Sequence, residues 1–146
     1  MSGIPYKLDG LDGNNEVRAT FVTFYASQAL VKGDAVAIDT ATSTNGYNHV
    51  MKANSGEAGN ANVLGVCTET VASGDVGVIQ VGGVCTFAKL LDVADAPGNL
   101  LGASSTDGSM TLMAADTQVP AAIILVDASD ANTADATVYL LNSHNL

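Results

Sequence analysis

The hydrophobic and polar positions of this chain fall into short runs of β type, separated by Gly, Asn, Asp and Ser. Val17 to Tyr25 is rich in Val, Thr, Phe and Tyr, the residues that suit a pleated surface. Phe21 and Tyr25 lie on one face of that run, Val22 and Phe24 on the other. Such a strand is buried on both sides or is covered by a partner chain. Lys32-Gly33-Asp34 reads as a turn that launches a strand over Ala35 to Asp39. Asn45-Gly46 is a strong hairpin signal, because a type I′ turn needs positive φ at both central residues. It folds Tyr47 to Ala53 back on the preceding strand. After a Gly/Asn/Ser loop over Asn54 to Asn62, the pattern predicts strands over Asn62 to Thr70, Val76 to Val81 and Val84 to Ala88. Gly82-Gly83 marks a bend or bulge between the last two. Lys89 to Asp95 is the one helix candidate, a short turn ended before Pro97.

A second cycle follows. Pro97-Gly98-Asn99 is a turn, Leu100 to Ala103 is apolar, Asp107-Gly108 is another hairpin signal, and Met110 to Ala114 returns. Val119 to Asp127 reads as a strand, Ala128 to Asp135 as a polar loop and Ala136 to Leu141 as the last strand. Gly33-Asp34 matches Gly98-Asn99, Asn45-Gly46 matches Asp107-Gly108, and Met51 matches Met113, at a spacing of about 60–65 residues. The expectation is an all-β domain over 17–146, a small barrel or sandwich, built of two similar β-units at about 30–88 and 96–142. Residues 1–16, punctuated by Gly3, Pro5, Gly10 and Gly13, read as a flexible extended N-terminal arm.

Composition narrows the function classes. Of 146 residues, 47% are hydrophobic and only 14% charged, so the chain has the apolar content to fold. No run approaches the roughly 18 apolar residues of a membrane span, and no secretory signal is visible. Five Lys and Arg stand against 15 Asp and Glu, a net charge of −10. Phosphate-backbone binding rests on basic clusters, so neither a nucleic-acid nor an anionic membrane partner is expected. So apolar and charge-poor a surface suits coverage by another chain, or simply an Ala-rich, stable β-domain.

Candidate chemistry is sparse. Cys67 and Cys85 sit within expected strands with no close Cys or His, which points to buried free thiols rather than a zinc site, with a disulfide as the alternative. His49 and His144 lie far apart, and no nucleophile-elbow motif accompanies them. The pairs Asp9/Asp12, Asp92/Asp95 and Asp127/Asp130 fall in expected loops, where Asp turns the backbone. Asp9 to Asn14 fails as a calcium loop, because Leu11 and Gly13 stand where oxygen ligands are required. The chain is therefore expected to be non-enzymatic, with no cofactor and no metal.

Four motifs in combination carry a family resemblance. They are Lys32-Gly33-Asp34-Ala35-Val36, Val63-Leu64-Gly65-Val66, Ala72-Ser73-Gly74-Asp75, and Val81-Gly82-Gly83-Val84 with Phe87 and Lys89. Together they resemble the small capsid decoration, or cement, proteins of tailed bacteriophages. The resemblance covers roughly Leu30 to Leu141. It departs at the doubled Gly82-Gly83 and at Val119-Pro120-Ala121, which lacks the Leu-Gly-Val wording. The resemblance implies a small β-barrel or sandwich made in the host cytoplasm and attached to the outside of the virion. Its implied partner is the major capsid protein, and it implies self-association as trimers and no enzyme activity.

On that reading a terminal arm pairs with a neighbour's exposed strand edge. Ile4, Pro5 and Tyr6 are then the arm's contact residues, and Phe21, Phe24 and Tyr25 the anchors of a bridging strand. Alternatives are another virion accessory module, such as a head fibre base or tail accessory domain, and a ligand-binding β-sandwich. The last is disfavoured because stacking sites want exposed aromatics, and the chain has Trp 0 and Tyr 4.

Overall fold

The computed structural model describes residues 19–41, 48–57, 61–91, 97–113, 119–126 and 131–141. Within them the chain is all-β, with no helix among the described residues. The strands are β1 (Thr20–Ala26), β2 (Ala35–Ile38), β3 (His49–Lys52), β4 (Gly65–Cys67), β5 (Val76–Leu91), β6 (Leu100–Ala103), β7 (Met110–Leu112), β8 (Ala122–Val126) and β9 (Ala131–Leu140).

Their order is β1-β3-β2-β4-β5-β7-β6-β8-β9, with additional pairings β1–β5 and β5–β9. Each additional pairing closes a ring of five strands, so the architecture is barrel rather than sandwich. Ring 1 holds β1 to β4 and the first half of β5; ring 2 holds the second half of β5 and β6 to β9. β5 serves both, pairing with β1 up to Gly82 and with β9 from Gly83. Gly83 takes φ +84° at that crossing, which a glycine adopts at little steric cost. Beside it, the buried Gln80 side chain donates from Nε2 to the carbonyls of Gly82 at 3.1 Å and Val84 at 2.8 Å.

The pairing scheme of ring 1 recurs in ring 2. β1 and β3 are parallel, as are β5 and β7, and the other pairings within each ring are antiparallel. Loop hydrogen bonds repeat as well. Gly33 N–H donates to Cys67 O and Cys67 N–H to Asp34 O, as Gly98 N–H does to Ile124 O and Ile124 N–H to Asn99 O. Leu64 N–H donates to Val36 O as Ala121 N–H does to Leu101 O, and Ala53 N–H to Ala35 O as Met113 N–H does to Leu100 O. The position matching Met113 is therefore Ala53, not Met51. Corresponding positions also fill the two interiors: Val36, Val50, Cys67 and Ile79 in ring 1, Leu101, Met110, Ile124 and Val138 in ring 2.

Several expectations need correction. Lys89 to Leu91 is strand, not helix, since the long β5 continues to find partners on β9 and β7. Gly82-Gly83 does not divide two strands; the backbone runs through as one strand of 16 residues. The polar stretch expected as a loop to Asp135 already pairs with β5 from Ala131. β1 is not buried on both sides within the chain: Phe21, Val22 and Tyr25 are exposed. The Asn45-Gly46 turn, Asp9/Asp12, Asp92/Asp95, Asp127/Asp130, His144 and the 1–16 arm lie outside the described residues.

Candidate interaction surfaces

The two rings meet through a polar junction on a small-residue face. The outward side of β2 and the residues after β3 carry Ala35, Ala37 and Ala53, which let the second ring approach the backbone closely. Across the junction Ala35 N–H donates to Gly108 O, Gly108 N–H to Ala53 O, Ser55 N–H to Ser104 O and Lys89 N–H to Gly33 O. Asp34 is 1% exposed at its centre. Its Oδ1 accepts from Lys89 Nζ at 2.6 Å, and Lys52 Nζ lies 3.8 Å from Oδ2, which also accepts from Val31 N–H at 2.8 Å. A buried carboxylate needs such partners, because removing it from water is costly. Gly108 allows this packing: a Cβ there would sit 2.8 Å from Asp34 Oδ1. The turn around it is braced by Ser104 and Ser109, whose hydroxyls are 2.8 Å apart, and both bond to Thr106 O.

Two apolar surfaces stand open. At the outer end of ring 1, Thr23, Phe24, Tyr25, Asn48 and Val76 line a hollow of about 280 Å³. Tyr25 and Val76 are exposed there, and Phe21 extends the surface along the outward face of β1. The Tyr25 ring stacks on His49 with centroids 5.3 Å apart. Asn48 Oδ1 and His49 Nδ1 are buried without a hydrogen-bond partner, unusual for native polar atoms. On ring 2, Leu100, Ile123 and Tyr139 are consecutive cross-strand neighbours on β6, β8 and β9. Leu100 and Tyr139 are exposed, as are Val119, Leu125 and Val126 nearby in sequence.

Among the described residues no group of three or more His, Cys, Asp or Glu is placed to hold a metal. Cys67 and Cys85 are buried and free. Burial pushes the Cys85 thiol up to about 11 and raises that of Cys67, so both are protonated at neutral pH. Within the described residues no helix is long and apolar enough to cross a membrane.

Of the residues singled out in the sequence, Phe21 and Tyr25 point outward from β1. Phe24 faces the other way and packs against the ring 1 core with Ile38 and Leu64. It is a half-buried core residue at the rim of the hollow, not a free anchor. Ile4, Pro5 and Tyr6 lie outside the described residues. Sequence reasoning missed Val76, Leu100, Ile123 and Tyr139. Val76 and Val78 on β5 and Ile123 and Leu125 on β8 alternate as a second apolar face, whereas Leu100 and Tyr139 stand singly beside Gly102 and Thr137 and carry no periodic signal.

No family model matches the chain, and no curated protein matches it. Among solved structures, it is similar to the head fibre gp8.5 N base of bacteriophage phi29, with a TM-score of 0.56 and 13% sequence identity. The match covers 85% of this chain and 95% of that one. At that identity the likeness is one of fold.

Proposed function

We propose that this chain is a non-enzymatic structural component of a phage virion, seated on the outside of the head and held by major capsid protein subunits. The observation that carries the reading is the fold shared with a phage head fibre base across 95% of that domain. The resemblance of the Gly33-Asp34, Leu64-Gly65-Val66 and Gly82-Gly83 motifs to capsid decoration proteins points the same way. The outward face of β1, with Phe21, is the side offered to the capsid, and Ile4, Pro5 and Tyr6 extend that contact along the arm. Main-chain pairing of an arm with a neighbour's strand edge needs no special side chains. Its ordering cost is offset on a symmetric lattice, where many contacts act together.

The test is co-sedimentation with expanded capsids of the source phage. Saturable binding at a fixed ratio to the major capsid protein is expected, and absence of binding to every capsid form overturns the proposal. Deleting 1–16 should weaken that binding while the barrel body stays folded; undiminished binding removes the arm from the account. A second reading, the base of a head fibre, is favoured by the same structural likeness. Low-copy occupancy at isolated lattice points, seen by electron microscopy, would select it over general decoration.

A further inference from the structure

The junction inside the chain is an interface between two copies of one pairing scheme, and its two complementary halves are left open at the outer ends. In the junction the outer face of ring 1 closes the end of ring 2. Ala35 and Val66 are 0% exposed there. The repeated hydrogen bonds and register place Leu100 and Ile123 at the same positions of ring 2, and Tyr139 at that of the buried Gln80. Yet Leu100 is 43% exposed and Tyr139 37%. The two turn glycines show the same contrast. A Cβ on Gly33 would meet Ala134 Cβ at 2.5 Å and Phe87 O at 2.6 Å, whereas one on Gly98 meets nothing within 4 Å.

The other half is open too. The end of ring 2 that receives ring 1 is built from Lys89 on β5 and Gly108 before β7. The matching end of ring 1 is built from Tyr25 on β1 and Asn48 before β3, and there the hollow of about 280 Å³ lies unfilled. Its exposed Tyr25 and Val76, and its two unpaired buried polar atoms, are what an uncovered half-interface presents.

We infer that a second copy of this chain binds head to tail, seating the outer face of its ring 2 on the open end of ring 1. The occupant is a second copy because the chain already carries one such contact between its own repeats, and each open surface corresponds to one side of it. Leu100, Ile123 and Tyr139 supply the apolar area that Tyr25 and Val76 meet. The Tyr139 hydroxyl supplies a donor of the kind that Asn48 Oδ1 lacks. The contact is heterologous, so each copy uses one surface and offers the other. It rests on the repeated pairing and not on capsid attachment, so either can fail without the other.

The test uses the full chain with Val76→Glu, which blocks the ring 1 end, and Tyr139→Glu, which blocks the ring 2 face. Both positions are exposed, and Leu100→Glu serves as a second block of the face. Sedimentation velocity is run from about 1 μM to about 1 mM, the range of weak specific contacts. Wild type should associate as concentration rises, and more readily in added salt, because screening relieves repulsion between chains of net charge −10. Each blocked variant should self-associate at least about tenfold more weakly, a loss of about 1.4 kcal/mol. An equimolar mixture of the two should form a dimer, since one copy keeps an intact end and the other an intact face. A wild type monomeric throughout overturns the inference. So does self-association of a blocked variant at wild-type strength, or a mixture of variants, folded by circular dichroism, that stays monomeric.

Discussion

Lys89→Met tests the polar centre of the ring junction. The substitution keeps most of the aliphatic stem and removes the ammonium that donates to Asp34 Oδ1 at 2.6 Å. Asp34 is then left 1% exposed with two partners, Val31 N–H at 2.8 Å and Lys52 Nζ at 3.8 Å. Removing one member of a buried ion pair costs about 3–5 kcal/mol. Lys52 remains within reach, and the Lys89 side chain is itself 16% exposed, so the lower end, about 3 kcal/mol, applies. For a chain of this length that is a fall in Tm of roughly 6–12 °C. Asp34→Asn is the contrasting change. It keeps an oxygen to accept from Val31 N–H, and it strands only a lysine that can turn toward water, so its cost is about 1–2 kcal/mol. The double variant should cost less than the two singles added, because neither charge is left to be unpaired. Urea unfolding followed by circular dichroism measures all three. The reasoning is refuted if Lys89→Met costs no more than Asp34→Asn, or if the double variant is simply additive.

Gly33 and Gly98 hold corresponding turns at φ +93° and +96°, so Ala at either carries left-handed strain of about 1–2 kcal/mol. Gly98→Ala should cost only that, while Gly33→Ala also drives its Cβ into Ala134 and the Phe87 carbonyl; equal melting temperatures for the two would contradict the packing at the junction. Stability should fall on the alkaline side. Native Cys85 binds its proton up to about 11 against 9.0 for the free thiol, so the native state holds more protons than the unfolded one between those values. Its contribution is fully present below pH 9 and is lost as pH rises through 11, with Cys67 acting in the same direction. The loss is on the order of 3 kcal/mol. Urea titrations across that range should show the decline in wild type and a flatter profile in Cys85→Ala, whose stability is lower at every pH from the lost packing. An identical slope in both would remove the thiol from the account.

Much of the fold was legible because turn chemistry in this chain is local. Gly33 and Gly98 mark the two launches into β2 and β6, and Gly108 at φ +77° marks the return into β7, as the Asp107-Gly108 pair indicated. The apolar run Leu100 to Ala103 coincides with β6 to the residue. What did not show was decided at long range. β5 runs straight through Gly82-Gly83 because β1 and β9 flank it in succession, and no local signal encodes that handover. Lys89 to Leu91 looked helical only while its partner β9 was hidden in a stretch read as a polar loop. Asp34 looked like an ordinary turn residue. Its burial follows from Lys89, 55 positions away along the chain, and from a glycine at 108 that leaves room for it. Of the surface residues, the outward pair Phe21 and Tyr25 could be read from two-residue periodicity. The open ring 2 face could not, because the distinction between a covered face with Ala35 and an open one with Leu100 shows only once strand pairing aligns the two rings.

Comparing the two outer faces position by position makes that distinction physical. Where ring 1 is covered by ring 2 the face carries Ala35 and Ala53, small side chains that allow main-chain hydrogen bonds to Gly108 across the junction. Where ring 2 is uncovered the same positions carry Leu100 and Met113, with Ile123 and Tyr139 beside them. Leu100 and Tyr139 do nothing for the interior of their own ring, since each points away from it, and exposed apolar surface of this kind favours association. A contact inside one chain can rely on close backbone approach, because its geometry is held by the shared strand β5. A contact made with a separate molecule must also offset the entropy of association, and large apolar side chains contribute most to that. The net charge of −10 opposes indiscriminate clustering of free copies, so the faces engage where geometry brings complementary halves together. Large side chains on the open half and small ones on the closed half are therefore what a tandem barrel needs if its last face is to meet another molecule.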